Sequence, residues 1–189
     1  MRRAFILGPL VLALGACGSS PKTQFYTLDA VPPASPAPAA VARGHIEVGK
    51  VEIPATLDRL SMVTRKANDQ LDVSDQNRWA APLDDLTRRA LLQDLRQRLP
   101  EGTVLASGDA APPGTRVITL NVQQFMADAS GRVVLDTDWA IGTVGKTATT
   151  RHAHIEETAG GADGGTVANG MSRALGKLAD EISASVGSG

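Results

Sequence analysis

The sequence predicts an α+β fold in a single domain, a mainly antiparallel sheet with two amphipathic helices packed on one face. Three observations carry that expectation. Between residues 117 and 157, apolar and polar residues alternate in three runs separated by glycine-containing turns, the pattern of an antiparallel meander. Two longer segments, 82–99 and 166–186, repeat apolar residues at helical spacing. The 189 residues hold one cysteine, Cys17, so the core must sustain the fold without an internal disulfide.

The N-terminus opens with Arg2 and Arg3 and an apolar run from Ala4 to Leu14. A positive start, a short apolar stretch and small residues before a cut describe a secretory signal. The run falls well short of the ~20 residues of a membrane-spanning helix. It ends in Leu14-Gly15-Ala16-Cys17, which looks like a bacterial lipobox. In that pattern the signal, residues 1–16, is removed and Cys17 carries a covalent N-acyl diacylglyceryl lipid, with no cofactor expected beyond that modification. The plainer alternative is a simple signal peptide with a chance cysteine at its end. Two or more acyl chains anchor firmly where one binds marginally. Gly18 stands where an Asp is the usual inner-membrane retention signal. The expected location is therefore the periplasmic face of the outer membrane, with the inner membrane as the alternative.

Residues 17–24 read as a short lipidated tether, and 25–189 as the folded domain with a proline-rich loop at 32–40. Phe25-Tyr26-Thr27-Leu28 is strand-like, and it is expected to return to the same sheet beyond the loop, where four prolines fall in seven positions. His45 to Ile53 reads as a strand whose alternation slips at Gly49, suggesting a bulge or close approach. Ser61 to Arg65 and Gln70 to Ser74 form a hairpin across Ala67-Asn68-Asp69, with Met62/Thr64 and Leu71/Val73 marking one face each. Pro82 to Leu99 is the first helix, with Asp84 and Asp85 at its positive end and Arg96 and Arg98 in its last turn. Its leucines cover a width that suits more than one neighbour. Val117–Met126, Val133–Ile141 and Thr147–Glu157 are the meander, with turns at Asp128–Arg132 and near Gly145. Thr166 is expected to cap a helix to about Val186, with Val167, Met171, Leu175, Leu178, Ile182 and Val186 in one stripe.

Composition narrows the function classes. The formal charge of −1 becomes −3 once Arg2 and Arg3 leave with the signal, and no block of like charge offers a footprint for nucleic acid. Aromatics at 3% argue against a stacking groove. With Cys17 acylated, no thiolate nucleophile or cysteine metal site remains. No G-x-S-x-G elbow occurs. The cluster Gly160-Gly161-Ala162-Asp163-Gly164-Gly165 precedes a helix but lacks the Gly-Lys-Ser/Thr ending of a phosphate loop, and reads as a flexible loop. The one enzyme-like constellation is His152-Ala153-His154-Ile155-Glu156. On a strand, His152, His154 and Glu156 share a face, and two imidazoles with a carboxylate suit Zn²⁺ with an open position. Asp136 and Asp138 on the preceding strand approach them if the register allows. The competing reading is the wet face of an ordinary strand.

Pro54-Ala55-Thr56-Leu57-Asp58-Arg59 followed by Val63-Thr64-Arg65, taken with Phe25-Tyr26-Thr27-Leu28, Arg78-Trp79-Ala80-Ala81-Pro82-Leu83 and Leu99-Pro100, resembles the PqiC-like family, the ABC-type transport auxiliary lipoproteins. The motifs cover about residues 14 to 100; the later strands and last helix agree by layout. The resemblance implies a non-catalytic lipoprotein accessory of an MCE/ABC-type lipid transport system. Its implied partners are a periplasmic MCE-domain protein with its permease and ATPase, docked or received at the outer membrane, and further copies of itself. Asp58, Arg59, Arg65 and Trp79 become candidate partner contacts; Trp79 also reads as a buried anchor of the helix lead-in. Two other classes stay open: a metal-dependent periplasmic enzyme using His152 and His154, and a structural envelope tether unrelated to lipid transport.

Overall fold

A computed structural model describes residues 21–33, 44–106, 108–143, 146 and 148–187. Cys17, most of the proline-rich loop and the turn at Gly145 lie outside them. In chain order the elements are β1 (Gln24–Tyr26), β2 (Ile46–Glu52), β3 (Ser61–Arg65), a single 3₁₀ turn (Ala67–Asp69), β4 (Leu71–Trp79), α1 (Leu83–Arg98), β5 (Val104–Leu105), β6 (Arg116–Asp128), β7 (Arg132–Thr143), β8 (Thr149–Thr158) and α2 (Gly164–Gly187).

All eight strands join one sheet, and β6 is its hinge. One edge of β6 runs antiparallel to β7, and β7 in turn to β8, which is the meander the alternation predicts. The other edge is shared: its first half pairs in parallel with β2, and its last two residues, Ala127 and Asp128, pair in parallel with β3. From β3 the sheet continues antiparallel to β4 and then parallel to β1; from β2 it continues parallel to β5. The long ladders are thus antiparallel as expected, while four parallel joins were not foreseen. Parallel partners are far apart in sequence and leave no turn signature between them. β5, two residues long, carries too short a pattern to be read at all.

The helices lie on one side of this sheet, α1 against β2 and β5, α2 against β6, β7, β8 and β1, and each packs against the other. The two leucine faces of α1 are explained by that position, since Leu83, Leu86, Ala90, Leu91, Leu92 and Leu95 are all buried. Each such leucine contributes roughly 1.5–3 kcal/mol on burial. Met171, Leu175, Leu178 and Ile182 of α2 face Ile118, Leu120, Leu135 and Trp139 of the sheet within one core. Gly49 falls at a register shift between Val48 and Val51, and a Cβ there would come within 2.6 Å of the Val117 side chain. The close approach expected at that position is therefore real.

Two details depart from the sequence reading. Strand β4 runs on to Trp79, five residues past Ser74. Helix α2 starts at Gly164 and is capped by Asp163, whose Oδ1 accepts the N–H of Gly165 (3.1 Å) and of Thr166 (3.0 Å). Thr166 instead donates its hydroxyl to Asp163, which holds that carboxyl below the usual range. Leu71 and Val73, on one face of β4, lie opposite Arg65 and Val63 and are exposed although apolar.

Candidate functional site

Alternation along β7 and β8 sorts their residues onto two sides. Leu135, Thr137, Trp139, Ala153 and Ile155 are buried beneath the helices. Asp136, Asp138, His152, His154 and Glu156 stand on the open side. The register pairs Asp136 with His154 and Asp138 with His152, so the approach left open by the sequence does occur. His152 Nδ1 lies 3.0 Å from Asp138 Oδ1, and His154 Nδ1 lies 2.8 Å from Asp136 Oδ2. The second ring nitrogens face the next carboxylates along: His152 Nε2 is 3.8 Å from Asp136, and His154 Nε2 is 3.5 Å from Glu156.

The row extends at both ends. Gln123 Nε2 donates to Asp138 (3.0 Å), while Arg132 donates to Glu156 (3.2 Å) and to Asp128 (3.2 Å). Ser130, whose hydroxyl and N–H both donate to Asp128, and the N–H of Arg132 pull that carboxyl down to about 2. Donation of a hydrogen bond to the Asp136 carboxylate, then to that of Glu156, holds the His154 imidazole above its usual titration range. The histidine side chains are 57% and 51% exposed, so water screens these pairs and they add little to stability. The imidazoles meet their carboxylates one after another along the ladder. Among the described residues, no group of three or more His, Cys, Asp or Glu side chains is placed to hold a metal ion. A shallow depression of about 420 Å³ adjoins the row, lined by Lys50, Glu52, Thr119, Asn121, Asp138 and Thr150 among others.

The buried charges sit elsewhere, between the helices. Asp94 and Arg98 of α1 are fully enclosed, and they grip the segment just past β1. The Val31 N–H donates to Asp94 Oδ1 (2.8 Å), and Arg98 donates to the Val31 carbonyl (3.0 Å), to the Asp94 carbonyl (3.0 Å) and to Asp180 of α2 (2.7 Å). Next to this, the Asp29 N–H donates to Ser172 Oγ (3.1 Å). A Cβ on Gly176 would stand 3.2 Å from the Val31 Cβ, so the absence of a side chain there lets the segment lie close to α2. The sequence reading gave Arg98 only a role at the helix end and passed over Asp94. The available signal was the i, i+4 spacing of an acid and a base within the leucine stripe.

The other sequence candidates fall as follows. Leu57 of the Pro54–Arg59 turn is buried, whereas Asp58 and Arg59 project outward. Arg65 ends β3, 3.5 Å from Gln124 and 3.7 Å from Asp69. These three are strung from the turn to the far end of β3 and form no single cluster. Trp79 is 3% exposed and belongs to the core, so in this conformation it fastens the lead-in to α1 and presents no contact surface. The glycine-rich segment 160–165 offers no free helix terminus, because the Asp163 carboxylate occupies it.

The sheet thus keeps an open polar face on β7 and β8, while the buried charges of α1 hold the segment that follows β1. The sequence profile described as ABC-type transport auxiliary lipoprotein component matches residues 26–183, from β1 through most of α2, and the chain belongs to that family. It is 28% identical over 138 residues to the intermembrane transport lipoprotein PqiC of Escherichia coli (strain K12), covering 71% of this chain and 72% of that one. PqiC of Shigella flexneri gives the same figures. Two crystal structures share the fold. One, of an uncharacterized protein, superposes with a TM-score of 0.71 at 19% identity, covering 88% of this chain and 99% of that one. The other, from Xanthomonas campestris, gives 0.67 at 17% identity, covering 84% and 92%.

Proposed function

We propose that this chain is a non-catalytic lipoprotein subunit of an MCE/ABC-type lipid transport system. It is held at the periplasmic face of the outer membrane by acylated Cys17, where it docks or receives the periplasmic MCE protein. The observation that carries the reading is the extent of the family match, which begins at Tyr26, nine residues past Cys17, and continues into α2. The curated relatives' description as intermembrane transport lipoproteins supports the lipid-transport assignment.

Docking to a symmetric tube calls for a symmetric receiver, so the domain self-associates. Strand β8 supports this: among the described residues it pairs only with β7, leaving a ten-residue edge for another chain. Asp58 and Arg59 on the exposed turn, with Arg65, supply polar contacts to a second copy or to the MCE protein. The test is native mass measurement of the lipid-free domain, followed by crosslinking in cells of the parent and of chains altered at Asp58, Arg59 and Arg65. Oligomers and an MCE-protein crosslink weakened by those changes are expected. A strictly monomeric domain with no such crosslink would leave a simple envelope tether.

A further inference from the structure

Four large apolar side chains stand exposed among the described residues: Phe25 (64%), Val73 (42%), Leu60 (39%) and Leu71 (39%). Exposed apolar residues scattered singly are ordinary. These are not scattered. All four belong to one ribbon made of β1, the β3–β4 hairpin and the loop before it. The register gives three of them a common side. Phe25 lies opposite Arg78, which lies opposite Ser61; Val73 lies opposite Val63 and Leu71 opposite Arg65. Opposed residues share a sheet face, and so do the alternate residues Ser61, Val63 and Arg65 along β3. The β3–β4 pairing shifts register between Ser61 and Val63, so the common side is followed along β3; Val63 on that side is buried, while the reverse side carries Tyr26 and the core residues Met62 and Trp79. Phe25, Val73 and Leu71 therefore project away from the helices.

Chain length says what lies on that side. Phe25 is eight residues past Cys17, so it stands at most about 29 Å from the anchor at ~3.6 Å per residue. β1 is also a margin of the sheet, with β4 its one strand neighbour among the described residues. β1, carrying Phe25, is thus the described strand nearest Cys17 along the chain, and the sheet sets Leu71 and Val73 of β4 beside it. Its charge is balanced, four carboxylates against four cations between residues 58 and 78, which suits zwitterionic headgroups over a purely anionic surface. Arginine and lysine stems can lie along the interface with their heads in water while apolar neighbours sink below. We propose that the outer side of this ribbon rests on the bilayer that holds Cys17, with Phe25, Leu71 and Val73 entering the headgroup region; this rests on the lipid anchor of the preceding section.

The test uses the lipidated protein in vesicles of phosphatidylethanolamine and phosphatidylglycerol. Leu71→Cys and Val73→Cys, both at exposed positions that tolerate change, are labelled with an environment-sensitive fluorophore, and Thr150→Cys on β8 is the control. With Cys17 acylated, each variant has one free thiol. The expected result is a blue shift at 71 and 73 and a roughly twofold loss of emission when the lipids carry headgroup spin labels, with little change at 150. Vesicle-bound protein whose labels at 71 and 73 respond no more than the control overturns the proposal. Shifts at 71 and 73 that follow protein concentration in detergent, without vesicles, assign the ribbon to a second copy and also overturn it. Protein that fails to float with the vesicles refutes the anchor itself, a distinct result that removes the basis of the docking as well.

Discussion

Replacing Asp94 by asparagine should flatten the pH dependence of stability in mild acid. Asp94 is wholly enclosed, and its Oδ2 has no hydrogen-bond partner. Burial, the largest influence, pushes its titration up to about 6 from the ordinary 3.8, against the Val31 N–H and Arg98, which favour the anion. A carboxyl that binds its proton more tightly in the folded chain makes the fold lose stability as pH rises between those two values. The total is on the order of 3 kcal/mol, at ~1.36 kcal/mol per pH unit. About 2 kcal/mol of it falls between roughly pH 4.5 and pH 7. Asparagine keeps an acceptor for Val31 and cannot ionise. Relative to the parent, Asp94→Asn should therefore gain about 2 kcal/mol on going from the lower pH to the higher. Asp128, Asp163 and Glu157 work the other way. Ser130 lowers Asp128, Thr166 lowers Asp163, and Lys177 and Arg173 outweigh the burial of Glu157. Their stabilisation is lost as pH falls below the ordinary carboxylate range, and it cancels in the comparison of the two proteins. Urea unfolding of both chains across that span reads the difference directly. Parallel curves, within about 0.5 kcal/mol, would falsify the reasoning and show that the Arg98 guanidinium outweighs burial.

Three further outcomes are expected. Cys17→Ala should leave an uncleaved or mislocalised chain, read by fractionation of membranes; parent protein that stays soluble after gentle lysis refutes the anchor. Changing His152 and His154 together to Gln should leave the denaturant midpoint nearly unchanged, since both rings are half exposed. Envelope function should survive that change, and stoichiometric zinc in the parent, lost together with function in the variant, would restore the metal-enzyme reading. Trp79→Ala should cost roughly 3–5 kcal/mol in denaturant unfolding, because a core aromatic leaves a cavity that neighbours fill poorly; a cost under about 1 kcal/mol would place Trp79 outside the core.

Legibility in the sequence followed the range of the interactions. The meander was readable because its strands alternate cleanly and adjacent partners are joined by turns; Asp128 closes one of them by accepting the N–H groups of Ser130 and Arg132. Both helices were readable from their stripes of large apolar residues, leucines in α1 and Val167 to Val186 in α2. The parallel joins of β1 to β4 and of β2 to β6 were not, since nothing between such strands marks their pairing. At the open face, sequence spacing put the histidines and acids on one side, while the register that pairs Asp136 with His154 came from the fold. Arg98 does stand in the last turn of α1, as expected, but its burial was not legible, because a basic residue there ordinarily answers the helix dipole. Its burial depends on Val31 and Asp180, 67 and 82 residues away.

The clasp around Asp29 and Val31 also sets an order of events during folding. That stretch is made early, yet its partners come late: Asp94 and Arg98 from α1, and Ser172, 143 positions beyond Asp29, from α2. Contacts spanning so much of a chain form slowly, because the intervening loop must first be closed. A chain emerging N-terminus first thus presents the Asp29–Val31 stretch before either helix exists to receive it. Closure of the domain over its own leash is a finishing step, and a chain cut short before α2 would leave the leash unfastened at Ser172 and Asp180.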